Sequence, residues 1–241
     1  MSQEIKVTGL VLQAGNIGEY DKRIVLLTKE RGRISAFARG AKKATSSYAA
    51  ACQPFTFGTF SLYEGKNSFN VMWAKVDHYF EELKRDLDLI YYASYFCEFA
   101  SYLTRENSDE FEILKLLYQS LRALEKNTID PALIRCVYEV KIMALYGLGM
   151  EVFQCVRCQK KENLTGFSPQ EGGVVCTSCQ KNLLPVGPST LYTLQYILCT
   201  PIERLYTFRV SNEVLGELQK IIKAFLEVHI EHIFQSLVFI E

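Results

Sequence analysis

Two cysteine pairs constrain this chain more than any other feature: Cys155-x2-Cys158 and Cys176-x2-Cys179, with 17 residues between them. Paired cysteines at that separation are the pattern of a zinc site with four thiolate ligands. Each pair makes a tight knuckle whose two sulfurs point at one centre, and the intervening loop folds the pairs together tetrahedrally. Gly172-Gly173, just before the second pair, frees the backbone for that turn. With sulfur at all four positions no place is left for water or substrate, so the expected role is structural, with one ion. Metal binding of this kind contributes roughly 10–16 kcal/mol at neutral pH and can order a loop that has little core of its own. Alone, Cys155-x2-Cys158 would also fit a redox pair, but the second pair argues against that. The other four cysteines, Cys52, Cys97, Cys136 and Cys199, stand singly among apolar neighbours and read as small buried hydrophobes.

The rest of the chain divides by hydrophobic period. Ile5 to Gln13, Lys22 to Thr28, Arg33 to Arg39, Phe55 to Tyr63 and Phe69 to Tyr79 are rich in β-branched and aromatic residues, with glycines in or beside the gaps. Five short strands in about 80 residues, with one long connection after the third, have the rhythm of an OB-type barrel, and an SH3-like barrel has nearly the same strand count. From about residue 81 the spacing is helical. Asp86 to Thr104 is apolar on nearly every face, which marks a central helix. Asn107-Ser108-Asp109-Glu110 and Asp130-Pro131 read as helix starts, and Pro188 and Ser211 open two more helices. The expected class is α+β: a five-stranded OB-fold barrel over 1–80, then a mostly helical domain over 81–241, with a four-cysteine zinc knuckle at 151–185 inserted in it.

Formal charge sums to zero, with 27 basic and 27 acidic residues, but it is unevenly spread. Residues 1–80 carry 11 Lys/Arg against 6 Asp/Glu, whereas residues 81–150 carry 8 against 12. The first third is therefore the part suited to a polyanion, although neighbouring segments that merely balance one another would give the same sums. The excess concentrates in Lys22, Arg23, Lys29, Arg31, Arg33, Arg39, Lys42 and Lys43, with Glu30 the single acid between residues 22 and 43. On a strand, Arg33, Ser35, Phe37 and Arg39 share one face, and Ile34, Ala36 and Ala38 the other. A cationic face with a flat ring at its centre suits single-stranded nucleic acid, with charges tracking phosphates and a ring stacking on a base. Lys22, Arg23, Arg33, Phe37, Arg39, Lys42 and Lys43 are accordingly the candidate contacts. The competing reading is a solvated sheet face with Phe37 turned inward at a bulge.

No phosphate-binding loop, Rossmann glycine fingerprint, nucleophile elbow or zinc-protease helix occurs, so neither an enzyme nor a nucleotide cofactor is expected. His229-Ile230-Glu231 matches half of a deaminase signature. It follows both cysteine pairs instead of preceding them, and His229 and His232 read as surface or capping residues near a helix end. The amino terminus has no apolar signal core, and the run 142–150 is shorter than the roughly 20 residues that span a bilayer. The expected location is the cytoplasm, with no membrane contact.

Gly18-Glu19-Tyr20-Asp21, Leu27-Thr28, Gly32, Ala38-Arg39-Gly40-Ala41-Lys42-Lys43 and Gln53-Pro54-Phe55 resemble the amino-terminal signature of bacterial RecO proteins. The likeness continues through Glu139-Val140-Lys141 and Gly147-Leu148-Gly149 into the two cysteine pairs. That resemblance implies an OB-fold followed by a helical domain with an inserted cysteine segment. It also implies a DNA repair and recombination mediator that binds single- and double-stranded DNA and anneals complementary strands. Its partners would be RecR and the single-stranded DNA-binding protein SSB, helping RecA load at gaps. Where the family often adds a further Arg or Lys after serine, this chain has Ser47-Tyr48-Ala49-Ala50-Ala51. The alternative from another class is a zinc-ribbon scaffold for protein contact whose nucleic-acid affinity is incidental.

Overall fold

The computed structural model describes residues 3–65, 68–181 and 183–240, in two compact units: Met1–Glu125 with Phe234–Glu241, and Lys126–Ile233. In the first, β1 (Gln3–Ile17), β2 (Asp21–Thr28), β3 (Gly32–Ala38), β4 (Phe57–Glu64) and β5 (Phe69–His78) close into a barrel in the order β1-β2-β3-β5-β4. Within the barrel β3 and β5 pair in parallel, and β1–β2, β1–β4, β2–β3 and β4–β5 pair antiparallel. This is the five-stranded Greek-key arrangement of an OB-fold, and it decides between the two barrels that strand count left open.

Closure rests on β1, which pairs with β4 through residues 3–10 and with β2 through residues 9–17. A register shift between Val11 and Gln13 bends the strand where it passes from one partner to the other. Two glycines permit the tight approach there. A Cβ on Gly9 would stand 2.4 Å from the Leu27 carbonyl oxygen, and one on Gly58 2.2 Å from that of Lys75. The interior is built from alternating residues such as Val7, Ile24, Leu26, Ile34, Phe60 and Leu62.

Two helices follow the barrel, α1 (Leu87–Leu103) and α2 (Phe111–Lys126). The Asp86 carboxylate caps α1 by accepting from the N–H groups of Asp88 and Leu89. Sequence periodicity left open what covers so apolar a helix, and part of the cover is the chain's own tail. The Phe234 ring lies 4.6 Å from that of Phe99 and 5.4 Å from that of Tyr95, and Phe239 stacks on Tyr91. The Glu98 carboxylate holds the tail by accepting from the N–H groups of Gln235 and Ser236 at 2.8 and 3.0 Å.

The second unit contains α3 (Pro131–Leu145), α4 (Pro188–Cys199) and α5 (Asn212–His229), all three packed together. Between α3 and α4 the chain forms a small sheet of β6 (Leu164–Ser168), β7 (Gly173–Cys176) and β8 (Leu184–Pro185), in the order β7-β6-β8. Asp130 and Ser211 cap α3 and α5 through their side chains, and Pro131 and Pro188 occupy first-turn positions. Lys141, nearly buried on α3, donates from Nζ to the carbonyls of Ile197, Leu198 and Thr200, neutralising the C-terminal end of α4. Lys141→Met should therefore cost about 2–4 kcal/mol, because it strands acceptors at a helix end while keeping the volume. The check is a lower denaturant midpoint at unchanged slope. Among the described residues no helix is long and apolar enough to cross a membrane.

Candidate metal centre and nucleic-acid interface

The four paired cysteines converge. Their Sγ atoms all lie within 4.8 Å of one another, with Cys158 and Cys176 at 3.6 Å. A tetrahedron with metal–sulfur bonds of about 2.3 Å has edges of about 3.8 Å, so the cluster has the size of a four-thiolate site. Its chemistry also calls for a cation. Desolvation alone would raise the Cys155 thiol, but backbone hydrogen bonds from Cys176, Arg157 and Cys158 bring it down to about 6. Cys179 is pushed up to about 12, chiefly by its hydrogen bonds with Cys158 and Cys176 and then by burial. Four sulfurs this close cannot all ionise until a metal compensates them.

The knuckles are shaped by the backbone around them. Cys155 N–H donates to the Lys160 carbonyl at 2.7 Å, and the N–H groups of Cys179 and Gln180 both reach the Cys176 carbonyl. Gly172 takes the left-handed conformation at φ 67°, and a Cβ on Gly173 would stand 2.5 Å from Val156 Cγ1 and 2.6 Å from the Glu151 carbonyl oxygen. The double glycine thus serves the turn and also a close strand approach. Arg157, inside the first pair, was not signalled by spacing. Its Nη1 donates to the Cys179 carbonyl at 2.6 Å, and its Nε and Nη2 grip Glu171, whose carboxyl it holds below the usual range. It ties one knuckle to the other. Arg157→Ala should weaken metal binding roughly 10–100-fold in chelator competition, the usual effect of removing a group that orients ligands.

The histidines stand apart from this cluster. His229 closes α5, packs at a tilt against the Phe225 ring and places Nε2 2.9 Å from the Pro169 carbonyl oxygen. Of the other cysteines, Cys52, Cys97 and Cys136 are buried, and burial raises each thiol. Cys199 departs from expectation: at the last position of α4 it is exposed.

On the barrel, β3 alternates as its pattern requires, with Ile34, Ala36 and Ala38 buried and Arg33, Ser35 and Phe37 on the outer face. Phe37 lies opposite Arg23 on β2 and Asn70 on β5, and Asn70 lies opposite Tyr63 on β4. Directly paired residues share a face, so Arg23, Phe37, Asn70 and Tyr63 form one outward row across four strands. Asn70 and Tyr63 are members of that row which charge patterning could not reveal.

The candidate cations do not form one uniform set. Arg33 Nε donates to the Thr104 carbonyl at 3.0 Å, so this arginine braces the end of α1. Arg23 Nε donates to Ser35 Oγ at 2.7 Å, and Lys22 Nζ reaches the Cys52 carbonyl at 3.4 Å. Arg39, Lys42 and Lys43 are exposed, and Lys43 lies over the Tyr20 ring. Among the described residues none of these six cations forms an ion pair, whereas Arg31 in the same stretch pairs with Glu64 at 3.3 Å. At the loop after β3, the Asp21 carboxylate accepts from the Gly40 N–H at 2.7 Å and forms no ion pair with Arg39, Lys42 or Lys43.

Comparison with known proteins adds an independent line. Residues 1–78 match the family model for the N terminus of recombination protein O, and residues 84–237 match the model for its C terminus. A DNA repair protein RecO of Thermoanaerobacter sp. (strain X514) is 32% identical over 98% of this chain and 96% of its own length. That of Alkaliphilus metalliredigens is 30% identical over 97% of both chains, and that of Bacillus subtilis 29% identical over 92% of this chain and 88% of its own.

Proposed function

This chain belongs to the recombination protein O family, and from that premise we propose that it is a DNA repair and recombination mediator which binds strands without catalysing a reaction. The observation that carries the reading is the exposed group Arg39, Lys42 and Lys43, without ion-pair partners among the described residues, beside an outward row containing Phe37 and Tyr63. Cations at that edge hold phosphates of single- or double-stranded DNA, and rings in the row face bases. By neutralising two strands at once the barrel lowers their mutual repulsion, and pairing supplies the driving energy at about 1.4 kcal/mol per step. No nucleotide hydrolysis enters.

The cysteine cluster holds one structural zinc ion through Cys155, Cys158, Cys176 and Cys179. Thiolate sets of this kind select soft metals, and a filled tetrahedron leaves no position for a substrate. The protein works in the cytoplasm with RecR and SSB, helping RecA load at gaps, and the helical unit serves as their docking body. A groove lined by the exposed Tyr192, the half-buried Tyr196 and Phe208, and Arg209 on that unit supports protein contact. It is the one observation that favours the scaffold reading. Strand annealing by the purified protein without ATP, on bare and SSB-coated DNA, tests the proposal. Acceleration on both is expected; annealing no faster than in buffer on either substrate would favour the scaffold.

A further inference from the structure

The barrel carries a concavity of about 400 Å³ lined by Arg39, Tyr48, Tyr63, Asn70, Val71 and Met72. Three local features shape it. The Tyr48 hydroxyl donates to the Arg39 carbonyl, which fixes that ring as a wall. On β5, Val71 pairs with Leu62 and Trp73 with Ser61, so Met72 is an extra residue at a bulge and is 56% exposed. Opposite stands Tyr63, 41% exposed at the end of the outward row. Two rings, a polarisable thioether and a guanidinium thus face one opening.

The floor has an unmet polar demand. Asn70 Oδ1 is screened from solvent and has no hydrogen-bond partner among the described residues. A buried acceptor left unpaired is costly and invites a donor. Asn70 lines the concavity, and the last torsion of an asparagine is broad, so its amide can reorient to meet a donor there.

We propose that this concavity is a subsite for one unpaired base, stacked against Tyr63 and Met72 while Arg39 holds the adjoining phosphate. The inference rests on the DNA-binding reading above and deepens it, by assigning single strands as the ligand of this part of the barrel. Every base carries a ring or exocyclic N–H that Asn70 Oδ1 can accept from. In a duplex the ring faces are stacked on neighbouring pairs, so only an unpaired base can lay a face against Tyr63 and Met72. Recognition is tolerant of sequence because every base offers both a flat face and a donor.

The test compares a short oligothymidylate with the same strand carrying abasic sites at its centre, both bound to the full-length protein. Wild type should prefer the intact strand roughly tenfold or more. In Tyr63→Ala/Met72→Ala that preference should fall severalfold with the salt dependence of binding unchanged, since no phosphate contact is touched. Equal wild-type affinity for the two strands would overturn the subsite, with no reliance on how the variant folds. So would a variant that discriminates as strongly as the wild type. If both strands bind with strong salt dependence but equally, the subsite alone fails; if neither binds, the DNA-binding reading fails with it.

Discussion

Cys155→Ser is expected to empty the metal centre and to destabilise the second unit by more than about 4 kcal/mol, because loss of a metal site ranks among the largest single-residue effects. The reason lies in how little else holds the segment between α3 and α4. Its sheet has strands of five, four and two residues, and Leu164, Phe167, Val174 and Val175 are its main buried apolar residues. That core is small beside the roughly 10–16 kcal/mol that structural zinc contributes in such sites. Serine replaces a soft anionic ligand with a neutral hydroxyl, and the remaining three sulfurs keep too few bonds to fix the knuckles. Cys176→Ser should behave alike, since its sulfur lies 3.6 Å from Cys158 on the other knuckle. Metal content by elemental analysis and the thermal midpoint are the two readings. Equal metal content in parent and variant would show that the cysteines do not share one ion. Oligonucleotide affinity should survive, since the candidate DNA contacts all belong to the other compact unit.

The second large effect is expected from Arg39→Ala/Lys42→Ala/Lys43→Ala. Three contacts to phosphate of roughly 1 kcal/mol each amount to about a hundredfold loss of single-strand affinity at low salt. Stability should change little, because all three side chains are exposed and without ion-pair partners among the described residues. Arg33 is deliberately excluded from this variant. Its hydrogen bond to the Thr104 carbonyl braces α1, so its loss would mix a folding defect with a binding defect. Unchanged affinity in the triple variant would place the DNA elsewhere.

The barrel strands were legible because half-buried β-structure writes a period of two into the chain. Ile34, Ala36 and Ala38 against Arg33, Ser35 and Phe37 is the clearest instance. Strand order was not legible, since the parallel pairing of β3 with β5 depends on a long connection that leaves no local signal. The bulge at Met72 was hidden for a related reason: one inserted residue shifts the phase, and only the partner strand reveals where. The convergence of the four paired cysteines could be read outright because thiolate geometry dictates spacing. Arg157 could not, because a residue that braces two loops is defined by the fold and not by its neighbours in sequence. Arg33 and Arg39 look alike in the chain, yet one meets a helix end and the other meets solvent. Charge patterning counts cations but does not say which of them the fold has already engaged.

The central claim, that the cationic edge of the barrel grips the phosphates of a strand, is tested most directly by the affinity of the wild-type protein for single-stranded DNA across a salt series. Contact with about five phosphates predicts that log affinity falls against log salt with a slope of roughly −3.5. A slope near zero would contradict the account.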